Sequence, residues 1–404
     1  MSKLQHNSFR GFTLLELLVA SSIGLVVVLA MTRLFKVAMD ATFTVTQRAE
    51  VQQNMRAAIE MMSQDLSHAG AGMPTGGLQL ATGGVSRYGC DQSGTCYVPT
   101  HSYPNNVGTG IANYMYALLP GYSNGVQNGA AIPNASTARN DSITAIYTDY
   151  NFPLSNFDFY AVSGTSICVA VTGGPPATPA PTAGLPTSIL APGGLNVGDV
   201  LLFYVQSQGT GTTSSGTSWT QTAAVAAEIT SIVSGGGDPS GKCIGTTWTL
   251  GFGAGDPLNM NQSAGADNLT SAFGAAGTMT VSRLNVVTYY LQVPAAGGTV
   301  QTPRLMRQVN GLTPVPVADN VINLQFSYDV IDATTGYLSA NLPNPIGSGQ
   351  SPSLIQKVNI WIMGESLTSG GSKSQSMYLI TSVAARNMSF CNSYSSSSTA
   401  CAND

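Results

Sequence analysis

One acid, Glu16, interrupts the otherwise mostly apolar run from Phe12 to Met31. A charge inside an apolar span of membrane length is costly, so an acid kept there marks function by default. A carboxylate in such surroundings needs a compensating partner. The second reactive set is six cysteines, Cys90, Cys96, Cys168, Cys243, Cys391 and Cys401, all beyond the apolar run. An oxidising compartment would let them pair. Cys90–Cys96 and Cys391–Cys401 are the natural local pairs, which leaves Cys168 with Cys243. Six cysteines allow about 15 connectivities, and spacing does not choose among them. A bridge closing about ten residues stabilises by roughly 2–3 kcal/mol on chain entropy.

Other chemical candidates are weaker. Gly236 to Cys243 reads Gly-Gly-Asp-Pro-Ser-Gly-Lys-Cys, close to a phosphate-binding loop, but Cys243 replaces the hydroxyl that holds magnesium. Thr246–Leu250 after it reads as a strand, so no helix N-terminus cradles a phosphate. His68 and His101 have no nucleophile elbow beside them, and the cysteine spacings fit no structural zinc site. Asp329 and Asp332 precede Thr334-Thr335-Gly336 without the twelve-residue calcium-loop spacing, and a hairpin turn explains them. No catalytic constellation and no cofactor is expected.

The element that positions Glu16 is a long helix. From Thr32 to Ala69 there is no proline or glycine, and residues 48–62 are rich in good helix formers. Met55, Ile59, Met62, Leu66 and Ala69 fall on one stripe, with Gln52, Arg56, Glu60 and Gln64 on the opposite side. Gly70, Gly72 and Pro74 stop it. The rod is expected over about 58 residues, roughly 85 Å, with its stripe against a β-sheet. Residues 12–31 alone suffice to cross a bilayer. A cleaved secretory signal fits poorly, because the small residue Gly11 precedes the apolar run instead of following it. Lys3 and Arg10 before the run balance Arg33 and Lys36 after it, so charge does not orient the span.

Beyond the span about 370 residues remain, enough for a substantial body. Only 8% of residues are charged, the net charge is −4, and no basic run follows residue 60, which excludes an electrostatic nucleic-acid binder. Residues 71–280 alternate short β-like runs with Gly, Ser, Thr, Asn and Pro. Strands are expected at Ser142–Tyr147, Ser166–Val171, Asp199–Val205 and Ala224–Val233, with loops at Gly173–Gly194 and Ser207–Ser218. Residues 281–404 are more regular, with strands at Ser282–Val293, Pro303–Val309, Val321–Val330, Gln356–Met363 and Met377–Val383 forming an antiparallel meander.

The order Arg10-Gly-Phe-Thr-Leu-Leu-Glu16 before an apolar helix resembles the N-terminal signal of type IV pilins and type II secretion pseudopilins. That resemblance implies an 11-residue leader, cleavage after Gly11 by prepilin peptidase, and N-methylation of Phe12. It implies that Glu16 meets the free amine of a neighbouring subunit and sets its axial register. It also places the N-terminus in the cytoplasm. A second likeness lies at VVTYYL (286–291), PRLMRQVNG (303–311), VADNVINLQFSYDV (317–330), IQKVNIWIMGES (355–366) and TSVAARN (381–387), which are similar to PilW-type minor pilins. Their order also resembles J-type pseudopilins.

The fold class implied is α+β and pilin-like. The long N-terminal helix (12–70, its first half membrane-spanning) would pack on an antiparallel sheet, with a large loop-rich β insertion at 71–280. The function implied is a non-catalytic minor pilin that helps initiate pilus assembly and can sit at the tip. Its partners would be prepilin peptidase, the major pilin, other minor pilins, the inner membrane and a tip adhesin. Type II secretion and adhesion by the middle region are the alternatives.

Overall fold

The computed structural model describes residues 12–74, 77–79, 114–122, 140–171, 188–207, 221–235, 247–258, 260–261, 279–292, 302–332, 336–345, 350–366, 376–385 and 388. Gly11, Cys90, Cys96, Cys243, Cys391, Cys401, His101, the 236–243 segment and most of the two expected loops lie outside them.

Helix α1 runs Leu14–His68. Thr13 caps it: its backbone is extended and its hydroxyl accepts the Glu16 N–H at 3.3 Å. The glycine stop works as expected. Gly70 and Gly72 sit at φ +83° and +73°, which side-chain-bearing residues rarely adopt. The chain is then stitched to a sheet, because the Gly70 N–H donates to Ile146 O (2.9 Å) and the Thr148 N–H to Ala71 O (2.8 Å).

Seventeen strands are described after the helix. They are β1 (Leu78–Gln79), β2 (Tyr114–Met115), β3 (Leu118–Gly121), β4 (Ser142–Asp149), β5 (Phe157–Ser163), β6 (Ser166–Val171), β7 (Val200–Ser207), β8 (Gln221–Glu228) and β9 (Ser231–Ser234). Then come β10 (Thr247–Gly251), β11 (Met279–Gln292), β12 (Arg304–Val309), β13 (Val315–Asp319), β14 (Val321–Ile331), β15 (Leu338–Leu342), β16 (Ile355–Glu365) and β17 (Ser376–Ala384). All the pairings among them are antiparallel.

The seven-stranded sheet is organised by the 14-residue β11. One edge of β11 pairs with β4; the other pairs first with β7 and then with β12. This sheet therefore takes strands from both sides of residue 280. A four-stranded sheet in the order β15-β14-β16-β17 carries the last third of the chain, and another in the order β5-β6-β10-β9 carries part of the middle.

The expected single strand at 224–233 divides. Its first part, β8, stays in the seven-stranded sheet and β9 joins another. The break follows from hydrogen bonding: the Glu228 N–H goes to the Asn261 side chain, the Ile229 N–H to Asp199 O, and the Thr230 N–H to Gly251 O. The β-like run is unbroken by glycine or proline in sequence, yet its backbone changes partners residue by residue.

Two cores result. The larger joins Val51, Met55, Ala58, Met62 and Leu66 of α1, with Ala69 just after it, to the seven-stranded and C-terminal sheets. The smaller gathers Phe152, Phe157, Phe203, Trp248 and Phe252, with Phe203 and Phe252 edge to face at 5.5 Å. The architecture is α+β and pilin-like: one long N-terminal apolar helix on a β-rich body.

Candidate functional site

Helix α1 has two different halves. From Phe12 to Glu50 it is almost wholly exposed, including Leu14, Leu18, Val26, Leu34, Phe35 and Phe43. Its most apolar 18-residue window has a mean hydropathy of 2.5 and buries nothing in the body. Water would not tolerate this surface as a free face. At about 1.5 Å per residue, roughly 55 Å of helix stands clear of the body. From Val51 onward the stripe turns inward, and Met55, Met62, Leu66 and Ala69 are fully buried. Arg56, Glu60 and Gln64 remain exposed on the opposite side.

Gly364 on β16 allows a close approach of helix to sheet. A Cβ there would lie 2.8 Å from both Met55 Sδ and Val51 Cγ1. Gly364→Ala is therefore expected to push the helix off the sheet and lower stability by about 1–3 kcal/mol, read as a lower thermal midpoint.

At the exposed tip, Phe12 is 86% accessible. Glu16 Oε2 accepts both the Thr13 N–H and the Thr13 hydroxyl at 3.0 Å, completing a reciprocal cap. The acid thus serves the first helical turn of its own chain and still lies on an accessible surface. Of the expected disulfide cysteines, the described residues contain Cys168, fully buried on β6 and disulfide-bonded. Its partner lies outside the described residues.

Where the helix meets the sheet, sequence reasoning missed the main polar contact. Asp65 sits one turn from the helix end and is buried. Its carboxylate accepts from the Tyr147 hydroxyl (2.7 Å), the Tyr289 hydroxyl, and Arg307 Nε (2.8 Å) and Nη2 (3.2 Å). Burial raises its pKa, but the bonds from Arg307, Tyr289 and Tyr147 outweigh burial and hold the carboxyl below its usual range. Burial, followed by the Asp65 charge, pushes both phenols up.

Three more buried acid groups tie strands together. Asp149 and Asp199 flank Arg283, which also donates to Gly193 O and Gly194 O. Glu228 on β8 and Asp256 in the loop after β10 lie together, buried. Asp329 is engaged by Lys357 at 2.7 Å and by the Asn341 N–H and Asn359 amide, while Asp332 accepts from Gln350. His68 packs its ring against Tyr147 at 5.6 Å. Among the described residues no group of three or more His, Cys, Asp or Glu is placed to hold a metal.

Residues 6–32 match the family model of the prokaryotic N-terminal methylation motif. This is a prepilin-type N-terminus. No curated protein and no solved structure matches the chain. The motif spans the free tip of α1, including Phe12, Thr13 and Glu16. Together with the apolar helix and the β-rich body it supports a type IV pilin or pseudopilin, a structural subunit. It implies processing by prepilin peptidase and assembly with other pilins, and the helix fits membrane anchoring.

Proposed function

We propose that the chain is a minor pilin of the PilW type that helps to initiate type IV pilus assembly and takes a place at the pilus tip. The methylation motif at the end of a helix standing roughly 55 Å clear of its body carries this reading. Prepilin peptidase cuts after Gly11 on the cytoplasmic side, and Phe12 becomes the methylated N-terminus. The apolar half of α1 first holds the subunit in the inner membrane, with the body in the periplasm. It then packs among the helices of other minor pilins and the major pilin.

The size of the body favours a minor subunit. About 330 residues follow the helix, bulky to repeat along a thin fibre. Type II secretion pseudopilins share the motif, and J-type members resemble the C-terminal phrases. Deletion separates the roles: lost pili and twitching motility support the pilus, and blocked enzyme export supports the secretion system. Normal pili that no longer attach to cells would support an adhesin.

Intact-mass and N-terminal peptide analysis of the protein from its native membrane is the decisive test. The expected chain begins at N-methylated Phe12. A chain that begins at Met1, or beyond Met31, would remove the pilin pathway. Glu16 has a sharper test because it also caps its own helix. Glutamine serves a capping box as well as glutamate, so Glu16→Gln keeps the cap and removes the charge. The variant is expected to be cleaved and methylated normally and to support at least about tenfold fewer pili, equivalent to about 1.4 kcal/mol of lost contact per subunit entry. Normal piliation would show that the charge does not set register.

A further inference from the structure

The C-terminal sheet has two unlike faces. Alternation sends Leu324, Phe326, Val358, Ile360 and Ile362 into the core beneath α1. The opposite face carries a pocket of about 590 Å³, within the roughly 300–1,000 Å³ range of small-molecule sites. Register assembles its floor in rows. Gln325, Trp361 and Ile380 stand side by side, and Ser327, Asn359 and Ser382 form the next row. Asn341 enters from β15. Its φ is +58°, and the β14–β15 ladder shifts register between Tyr328 and Val330. Such an irregularity re-aims side chains, here toward the pocket.

The lining has a definite chemistry. Amide and hydroxyl groups each donate and accept, and Trp361 supplies an aromatic surface with an N–H. Ile380, 68% exposed, extends the apolar floor. The nearby charges, Lys357 and Asp329, are 2.7 Å apart and neutralise each other. Asp329 is further occupied by the Asn341 N–H and the Asn359 amide, which also reaches Asn341 Oδ1 at 3.0 Å. A charged ligand therefore gains no net attraction. A ligand with a C–H face and a rim of neutral hydroxyls matches the surface on both counts.

We propose that this pocket binds a neutral saccharide, with a sugar ring laid on Trp361 and its hydroxyls held by Gln325, Asn341, Asn359, Ser327 and Ser382. The pocket lies on the face turned away from α1, so an occupied site leaves the helix free for assembly. The proposal stands apart from the filament role: it holds for a pilus or a secretion subunit alike.

The test uses the full chain in a sugar-free detergent, applied to an array of defined neutral and anionic oligosaccharides, followed by titration of the best neutral ligand. Wild type is expected to bind neutral glycans. Trp361→Ala and the milder Gln325→Ala are each expected to weaken binding about tenfold or more, while unfolding midpoints for Gln325→Ala stay at the wild-type value. No binding, binding to anionic glycans alone, or binding unchanged in both variants would overturn the proposal. So would a dimer in size-exclusion chromatography that Trp361→Ala dissolves, because a second copy would then be the occupant.

Discussion

Arg307→Met is expected to lower the unfolding free energy by about 3–5 kcal/mol, the cost of stranding one charge of a buried pair. The stranded group is Asp65, whose side chain is 8% exposed. Its position makes the loss worse. An acid in the last turn of a helix faces the negative end of the helix dipole, so α1 itself offers it nothing. Without the guanidinium, Tyr147 and Tyr289 alone remain among the described residues, and two neutral phenols do not compensate a carboxylate that burial has already stripped of water.

The double variant Asp65→Leu/Arg307→Met is expected to recover part of the loss, since an apolar pair replaces a buried ion pair at little cost but leaves the Tyr147 and Tyr289 hydroxyls without their acceptor. Denaturant unfolding of the full chain in detergent reads both values. A loss below about 1 kcal/mol for the single variant would mean that water reaches the pair and screens it. The pH dependence has a fixed sign. The Asp65 carboxyl is held below its usual range, so its contribution is complete above that range and disappears as pH falls through the folded-state value.

Asp65 also shows where the sequence stops being legible. The helix was readable to within a few residues, because its signals are local: no breaker from Thr32 to Ala69, a repeating apolar stripe, then glycines. Most strands of the last third were readable for the same reason. Glu16 stands out because an acid in an apolar run is anomalous within a single window. Asp65 is not anomalous locally. It sits beside Leu66 at the edge of the buried stripe, and a helical acid at such an edge ordinarily meets solvent. Its cation is 242 residues away, and its two phenols come from β4 and from β11. The division of 224–233 was hidden for a related reason. Nothing in the run Ala224 to Val233 states which backbone partner each N–H will take. The amide-lined face of β14 and β16 follows from alternation, but its pocket needs Asn341, delivered by an irregular strand.

The buried carboxyl pair belongs to this long-range class, and it makes a prediction of opposite pH sign. Glu228 and Asp256 are almost completely inaccessible. Asp256 accepts the Met260 and Asn261 N–H groups at 2.6 and 3.0 Å, and Glu228 Oε2 accepts the Leu258 N–H at 3.1 Å. Among the described residues Glu228 Oε1 meets no N–H or O–H donor, and the Asp256 carboxyl is the neighbouring charge that acts on it. Two acids so placed are stable when one keeps its proton and donates it to the other. Burial, then the Asp256 charge, pushes Glu228 up to about 9, and burial raises Asp256 as well.

The folded state therefore binds a proton that the unfolded chain releases near the ordinary glutamate value. Stability from this site is complete at acid pH and falls as pH rises toward 9, by about 1.4 kcal/mol per unit for one proton. Glu228→Gln replaces the acid proton with an amide N–H and cannot ionise. It is expected to remove that slope and to be the more stable protein at pH 8, the gap over wild type narrowing as pH falls to 5. Thermal midpoints of both chains across that range measure it. An equal loss at every pH would mean that Glu228 acts through shape alone. A wild-type midpoint raised by millimolar calcium at pH 8, absent in Glu228→Gln, would mean that a cation takes the place assigned to the proton. With the proton in place, the loop after β10, which seats Leu258 and Met260 in the larger core, is fastened by a group whose charge state is set by burial.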